Sequence, residues 1–237
     1  MLHEQLNTLT VERDKILLDR TPEHPQAKEA AVKIESLKRQ LEETPKFIIN
    51  SLVFCAIAVA LCIAIGVPMA WIMARTKAPG RGAMDALTTL MLAIPGTAVG
   101  IAFVRAFTFQ LPFSEESLTS LWIILPLVLA VRRLPYTVRG SYSSLLLVHK
   151  SMEEAAESVG ATKLRTFRDI TVPLVWKGIF VGALFSFITS IQEASSTIFL
   201  TLGGNEMIPF GLFTFYIAGS QRQAAALGVI RIAWCAV

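Results

Sequence analysis

From Ile48 to Met73 the chain runs almost without a polar side chain, and this stretch restricts the possible fold more than any other feature. A helix rises about 1.5 Å per residue, so the run is long enough to cross the roughly 30 Å hydrocarbon core of a bilayer. Hydrophobic residues make up 53% of the 237-residue chain and charged residues 17%. That balance lies far from ordinary globular usage and points to the bilayer as solvent.

Further apolar runs follow the first. A second extends from about Ala86 to Phe109, with Arg105 near its end; a third from Leu121 to about Leu134, short and interrupted by Pro126; a fourth from Gly178 to about Leu200. The last, from about Ala224 to Val237, is too short to cross alone. Either the chain is cut there or its helix begins earlier, near Phe213. The expected fold class is therefore all-α: a polytopic membrane protein of about five transmembrane helices, truncated from something longer.

Lys and Arg are retained on the cytoplasmic side of such spans, which orients them. The loop after the first span holds Arg75, Lys77 and Arg81, and the segment between the third and fourth holds Arg132, Arg133, Arg139, Lys150, Lys163, Arg165, Arg168 and Lys177. Both are expected inside. The loop with Glu115 and Glu116 and the one with Glu206 carry no Lys or Arg and are expected outside.

That orientation puts residues 1–46, a polar helical segment, on the extracytoplasmic side, with no apolar h-region that would make it a signal peptide. Pro22 and Pro25 divide it into two helical patterns, and Val32, Leu37 and Leu41 give the second a weak apolar face. It fits a loosely packed loop between membrane modules or a docking segment for an external partner. Residues 47–237 form the transmembrane domain, with a cytoplasmic segment over 140–177.

Several function classes are disfavoured. The net charge of +4 comes from basic residues beside apolar spans, not from a stripe interleaved with exposed aromatics, so no nucleic-acid partner is expected. Cys55, Cys62 and Cys235 lie in apolar runs without metal-ligand spacing and read as small buried hydrophobes. His3, His24 and His149 are scattered. No metal site, cofactor or catalytic residue is expected, and no nucleophile and base gather at one depth.

The cytoplasmic segment contains SMEEAAESVGATKLRTFRDITVPLV, Ser151 to Val175. Ser151 with Glu154 three residues on is a capping-box pattern that would start a short helix through Ala155 and Ala156. Gly160 would stop it, Thr162 would cap a second short helix through Phe167 and Ile170, and Pro173 marks the entry to the fourth span. Val159, Leu164, Phe167 and Ile170 supply apolar anchors, so the helix pair is suited to a groove on another protein.

Glu154, Ala155, Ala156, Gly160, Ile170, Val172 and Pro173 resemble the EAA motif of binding-protein-dependent ABC transporter permeases, with Val172 where Leu is usual. The segments NSLVFCAIAVALCIAIGVPMAWIMART, AIPGTAVGIA, VRRLPYTVRGS and QEASSTIFL are similar to the branch with ferric-iron, phosphonate, thiamine and polyamine permeases. The resemblance implies an importer permease of the cell inner membrane. Its helix pair would couple to a separate cytoplasmic ATP-binding subunit, since no G-x-x-x-x-G-K-[ST] loop occurs here. It further implies an extracytoplasmic solute-binding protein and a second permease module, a homodimer partner or a fused copy, all set in membrane lipid. Within the branch, the SSTIFL and AAALGVI stretches lean towards ferric iron as cargo.

Ionisable groups inside the hydrocarbon are costly and mark function or pairing. Glu193 would line the pathway with Gln192, Ser195 and Ser196, or form a structural pair with Arg105, or Arg105 would snorkel outward. Pro95 next to Gly96 should bend or break the second span, and Gly96 with Gly100 gives a small face for close packing. Trp71 and Trp122 suit interfacial anchoring. From another functional class, a secondary transporter or channel would need the intramembrane charges but no ATPase dock.

Overall fold

A computed structural model of the chain describes residues 2–19, 25–108 and 121–235. All regular structure among the described residues is helical. Two compact units divide at residue 49. In the first, α1 (Leu2–Asp19) carries the exposed pair Arg13 and Asp14, and α2 (Pro25–Arg75) begins at Pro25, a residue suited to a helix start because its missing N–H would have no partner there. Ile34 is buried, and Val32 is 70% exposed. Pro22, His24 and the side chains of Leu37 and Leu41 fall outside the described residues, as does the Glu115 and Glu116 loop.

The second unit, residues 50–237, contains the apolar part of α2, followed by α3 (Arg81–Ala93), α4 (Gly96–Phe107) and α5 (Ile124–Leu147). Then come α6 (Ser151–Ser158), α7 (Lys163–Thr166), a π-helical turn (Phe167–Thr171), α8 (Val172–Ile191), α9 (Ile208–Ile217) and α10 (Gln221–Cys235). By length and composition, Glu42–Arg75 and Lys163–Ile191 can each cross a membrane. The α3 and α4 pair would form a third crossing but is bent by 110°. Pro95 explains the break: it has no N–H to donate and it biases Ile94 to extended backbone, with ψ at 128°.

Two expected boundaries are corrected. The third span does not stop near Leu134; α5 continues through the buried Pro135 to Leu147. Arg132 and Arg133, expected in a cytoplasmic loop, therefore lie within a helix, where an acidic partner offsets their charge. Nor does a single helix run on from Phe213. Gly219, at φ 75°, turns the chain between α9 and α10, a conformation that a side-chain-bearing residue rarely takes.

α5 is the central element. One core cluster joins Phe54, Cys55, Ala58 and Cys62 of α2 to Leu125, Val128 and Leu129 of α5 and Ile191 of α8. A second joins Val67, Ala70 and Met73 to Val138, Leu145, Val175 and Ile179. Lipid tails are as apolar as these side chains, so close backbone approach and hydrogen bonds must hold such helices together. At α5 and α8 they do. A Cβ on Gly140 would lie 2.7 Å from the Gly178 carbonyl oxygen, and one on Gly182 would lie 2.9 Å from Thr137 Cα. The hydroxyls of Thr137 and Ser186 are 3.0 Å apart, and Ser186 donates to the Arg133 carbonyl at 3.1 Å.

The start of α9 is pinned to α2. Ser51 Oγ accepts from the Ile208 N–H at 2.8 Å, and Asn50 Nδ2 donates to the Gly204 and Glu206 carbonyls at 3.0 and 3.1 Å.

Candidate functional site: the coupling segment and a buried charge cluster

α6 ends where expected. Gly160, at φ 91°, follows it, and the Ala161 N–H donates back to the Ala156 carbonyl at 3.1 Å, closing the helix end. The Thr162 hydroxyl then accepts from the Arg165 N–H at 3.3 Å and starts α7. The capping box, however, is not formed. Ser151 is already helical, its hydroxyl pairs with His149 Nδ1 at 2.8 Å, and the Glu154 carboxylate lies 3.5 Å from Lys150 Nζ. Glu154 thus makes an exposed i, i+4 pair, and the helix end is capped instead by His149, whose Nδ1 accepts from the Ser151 N–H at 3.3 Å.

The two faces of α6 differ sharply. Glu154, Ala155 and Gly160 are exposed; Glu153 and Ala156 are buried. Val159 is 87% exposed and Leu164 77%, whereas Phe167, expected as a third anchor, turns inward to meet the edge of Trp71 at 5.6 Å. Ile170 is half-buried and Pro173 exposed. The outward surface is therefore a short helix with a small-residue face and two bare aliphatic side chains beyond it.

Glu153 was not among the residues singled out from the sequence. Its Oε1 accepts from Arg75 Nε and Thr171 Oγ1, both at 3.0 Å, while Arg75 also donates to the Val148 carbonyl at 2.8 Å. This group ties the end of α2, the entry to α6 and the π-helical turn before α8. The only sequence signal was a second Glu one position before the motif, three residues from Ala156 and hence on its face.

Glu193 lies beyond the end of α8, almost fully buried. One carboxylate oxygen takes hydrogen bonds from Arg133 and from Arg132 Nε, the latter at 3.1 Å; the other takes them from Ser195 Oγ at 2.6 Å and the Ser196 N–H at 3.1 Å. Arg132 also donates to the Ile94 carbonyl at 3.2 Å, beside the break between α3 and α4. A Cβ on Gly96 would lie 2.9 Å from Glu193 Oε1 and collide with Ser195 Oγ, and one on Gly100 would lie 2.8 Å from the Ser196 carbonyl. Gly96 and Gly100 are thus close-packing positions, and the cluster they pack against is the Glu193 loop.

The alternative pairing of Glu193 with Arg105 does not occur. Arg105 is exposed on α4, and two guanidinium groups on α5 already occupy the carboxylate. Gln192 is exposed and lines a cavity of about 420 Å³ with Leu212, Gly228, Arg231 and Ile232. Trp122 is 49% exposed and stacks on Phe54, while Trp71 is half-buried. Among the described residues no group of three or more His, Cys, Asp or Glu could hold a metal ion.

Comparison with known proteins places the chain among transport-system membrane components. Residues 66–236 match the profile of a family described as binding-protein-dependent transport system inner membrane component. The molybdenum transport system permease protein ModB of Escherichia coli K12 is 30% identical over 197 residues, covering 78% of this chain and 86% of that protein. The sulfate transport system permease protein CysT of Salmonella typhimurium is 30% identical over 141 residues, 57% of this chain and 51% of its own length. The ferric transport system permease protein FbpB of Actinobacillus pleuropneumoniae is 26% identical over 185 residues, 78% of this chain but 26% of its own. The chain thus spans about half of the sulfate relative and about a quarter of the ferric one. Among solved structures, an inward-facing MetNI methionine ABC transporter superposes with a TM-score of 0.63 at 15% identity, covering 82% of this chain and 92% of that one. At that identity the likeness concerns the fold alone.

Proposed function

Because the chain belongs to the inner membrane components of binding-protein-dependent transport systems, as a multi-pass permease, we propose that it forms the substrate pathway of an ATP-binding-cassette importer. It would be driven through α6 and α7 by a separate cytoplasmic ATPase subunit. It would receive cargo from an extracytoplasmic solute-binding protein and work beside a second permease module, a partner copy or a fused one, in membrane lipid. Residues 1–46 would lie on the extracytoplasmic side, and residues 47–237 would form the permease domain.

The observation that supports coupling most is the outward face of the EAA segment. Glu154 and Ala155 stand exposed, Gly160 ends the helix, and Val159 and Leu164 leave large apolar area uncovered. A helix that presents anchors without partners of its own fits a groove on another protein. Along the pathway, Gln192 on the cavity wall would meet cargo, and Ser195 and the exposed Arg105 would contribute further polar groups. Glu193 and Ser196, being enclosed, would hold the wall in shape. The cargo would be an inorganic ion, ferric iron first, with sulfate and molybdate raised by the names of the relatives.

The test is reconstitution with the ATPase subunit and binding protein, following uptake of radiolabelled ferric citrate, sulfate and molybdate. ATP-dependent uptake of one of them, and its loss with the ATPase subunit in Gly160→Pro, is the expected result. Pro cannot take the φ of 91° found there. Uptake without any ATPase subunit would instead identify a channel or secondary transporter.

A further inference from the structure

We propose that Glu153, not the motif residue Glu154, is the positioning residue that carries movement of the coupling helix into the spans. This rests on the reading of α6 and α7 as an ATPase dock. The two neighbouring glutamates have separate environments. The Glu154 carboxylate is 62% exposed and could be reached by another protein; that of Glu153 is 9% exposed and unreachable.

A docked helix can move the membrane part only through contacts that resist being pulled apart. α6 has eight residues, and its inward face offers only Ala156 besides Glu153 as a buried side chain. An alanine methyl contributes little to such a link. The Glu153 Oε1 instead accepts two hydrogen bonds from different elements, from Arg75 at the end of α2 and from Thr171, the last residue of the π-helical turn that leads directly into α8. Arg75 holds the Val148 carbonyl as well, so the connection between α5 and α6 is fixed to the same point.

Separating these groups would strand a charge in a buried site, which is strongly unfavourable and makes the link stiff. The π-helical turn at Phe167–Thr171 supports the same reading. Thr171 Oγ1 lies 3.0 Å from Glu153 Oε1 and 3.4 Å from the Thr166 carbonyl, and insertions of this kind concentrate at functional positions. α6 and α8 should therefore move as one body when nucleotide closes the ATPase.

The experiment uses the full transporter with its ATPase subunit in lipid nanodiscs. Spin labels are placed at Met152→Cys and Leu184→Cys, both exposed positions, with Cys235→Ala and the buried Cys55 and Cys62 left in place. The distance between labels is measured without nucleotide and after trapping with ATP and vanadate. In the otherwise native chain it stays the same in both states. In Glu153→Gln it shifts on trapping, because α6 moves without α8, and uptake per ATP hydrolysed falls by about tenfold, within the usual range of coupling between sites.

Thr171→Val, a near-isosteric change, shows the shift in weaker form, and Thr171→Ser abolishes it. An unchanged distance in Glu153→Gln and Thr171→Val overturns the inference. So does loss of both variants from the membrane, which would make the group a folding element only. Failure of the ATPase subunit to bind the native chain would instead refute the docking reading on which this rests.

Discussion

Arg132 donates from Nε to the Glu193 carboxylate at 3.1 Å across 61 positions of sequence, and neither side chain is more than 13% exposed. Arg133 meets the same oxygen. The cluster carries two positive charges and one negative, so the single carboxylate is shared by both helix-borne guanidinium groups and a net charge of +1 remains.

Glu193→Gln removes that compensation and should destabilise the chain by about 3–5 kcal/mol, the usual cost of leaving a buried charge without its partner. Thermal unfolding in detergent, followed by tryptophan fluorescence, measures it. Adding Arg133→Met should recover part of the loss, because one of the stranded charges goes with it. Equal midpoints for the native chain and Glu193→Gln would show that the pairing contributes nothing.

Gly96→Ala should cost about 1–3 kcal/mol, as overpacking in a fixed interior does. Its methyl would collide with Ser195 Oγ and stand 3.0 Å from Ser195 Cβ. Ser195→Gly combined with Gly96→Ala should be more stable than Gly96→Ala alone, since both of those atoms are then absent. The same unfolding assay decides it.

The seam between α5 and α8 predicts a contrast between glycines. Gly140→Ala and Gly182→Ala bring a methyl against backbone, which cannot rotate away, and should lower the unfolding midpoint. Gly228→Ala meets only Leu212 Cδ1 at 3.7 Å and should be neutral or stabilising by about 0.5–1 kcal/mol, the helix preference of Ala over Gly.

Gly160 has nothing within 4 Å of a would-be Cβ, so its need for glycine is purely conformational. Gly160→Ala should weaken the end of α6 by about 1–2 kcal/mol, the usual penalty of the left-handed conformation. Gly160→Asn should be milder, since Asn tolerates that conformation. Hydrogen exchange at the Ala161 amide, which donates to Ala156, is the direct readout.

Legibility from sequence followed the range of the interaction. Gly160, Thr162 and Pro95 act on their own backbone, and their local signals gave the turn, the cap and the break where each occurs. The ends of α5 were not legible, because what permits Arg132 and Arg133 inside a helix is a carboxylate about sixty positions away. The capping box failed for a related reason. Ser151 found His149 and Glu154 found Lys150, and no local pattern ranks those partners. Glu153 was hidden because a repeated Glu looks the same whether it faces water or Arg75.

The joint at Ile94 and Pro95 has one further consequence. Breaking the helix frees the Ile94 carbonyl, and Arg132 stands in for the water that a soluble protein would recruit. Sliding α3 and α4 along α5 would leave that oxygen bare, at a cost of about 2–7 kcal/mol. The Arg132 guanidinium therefore ties the break between α3 and α4 to α5 through a bond that a slide along α5 would lose.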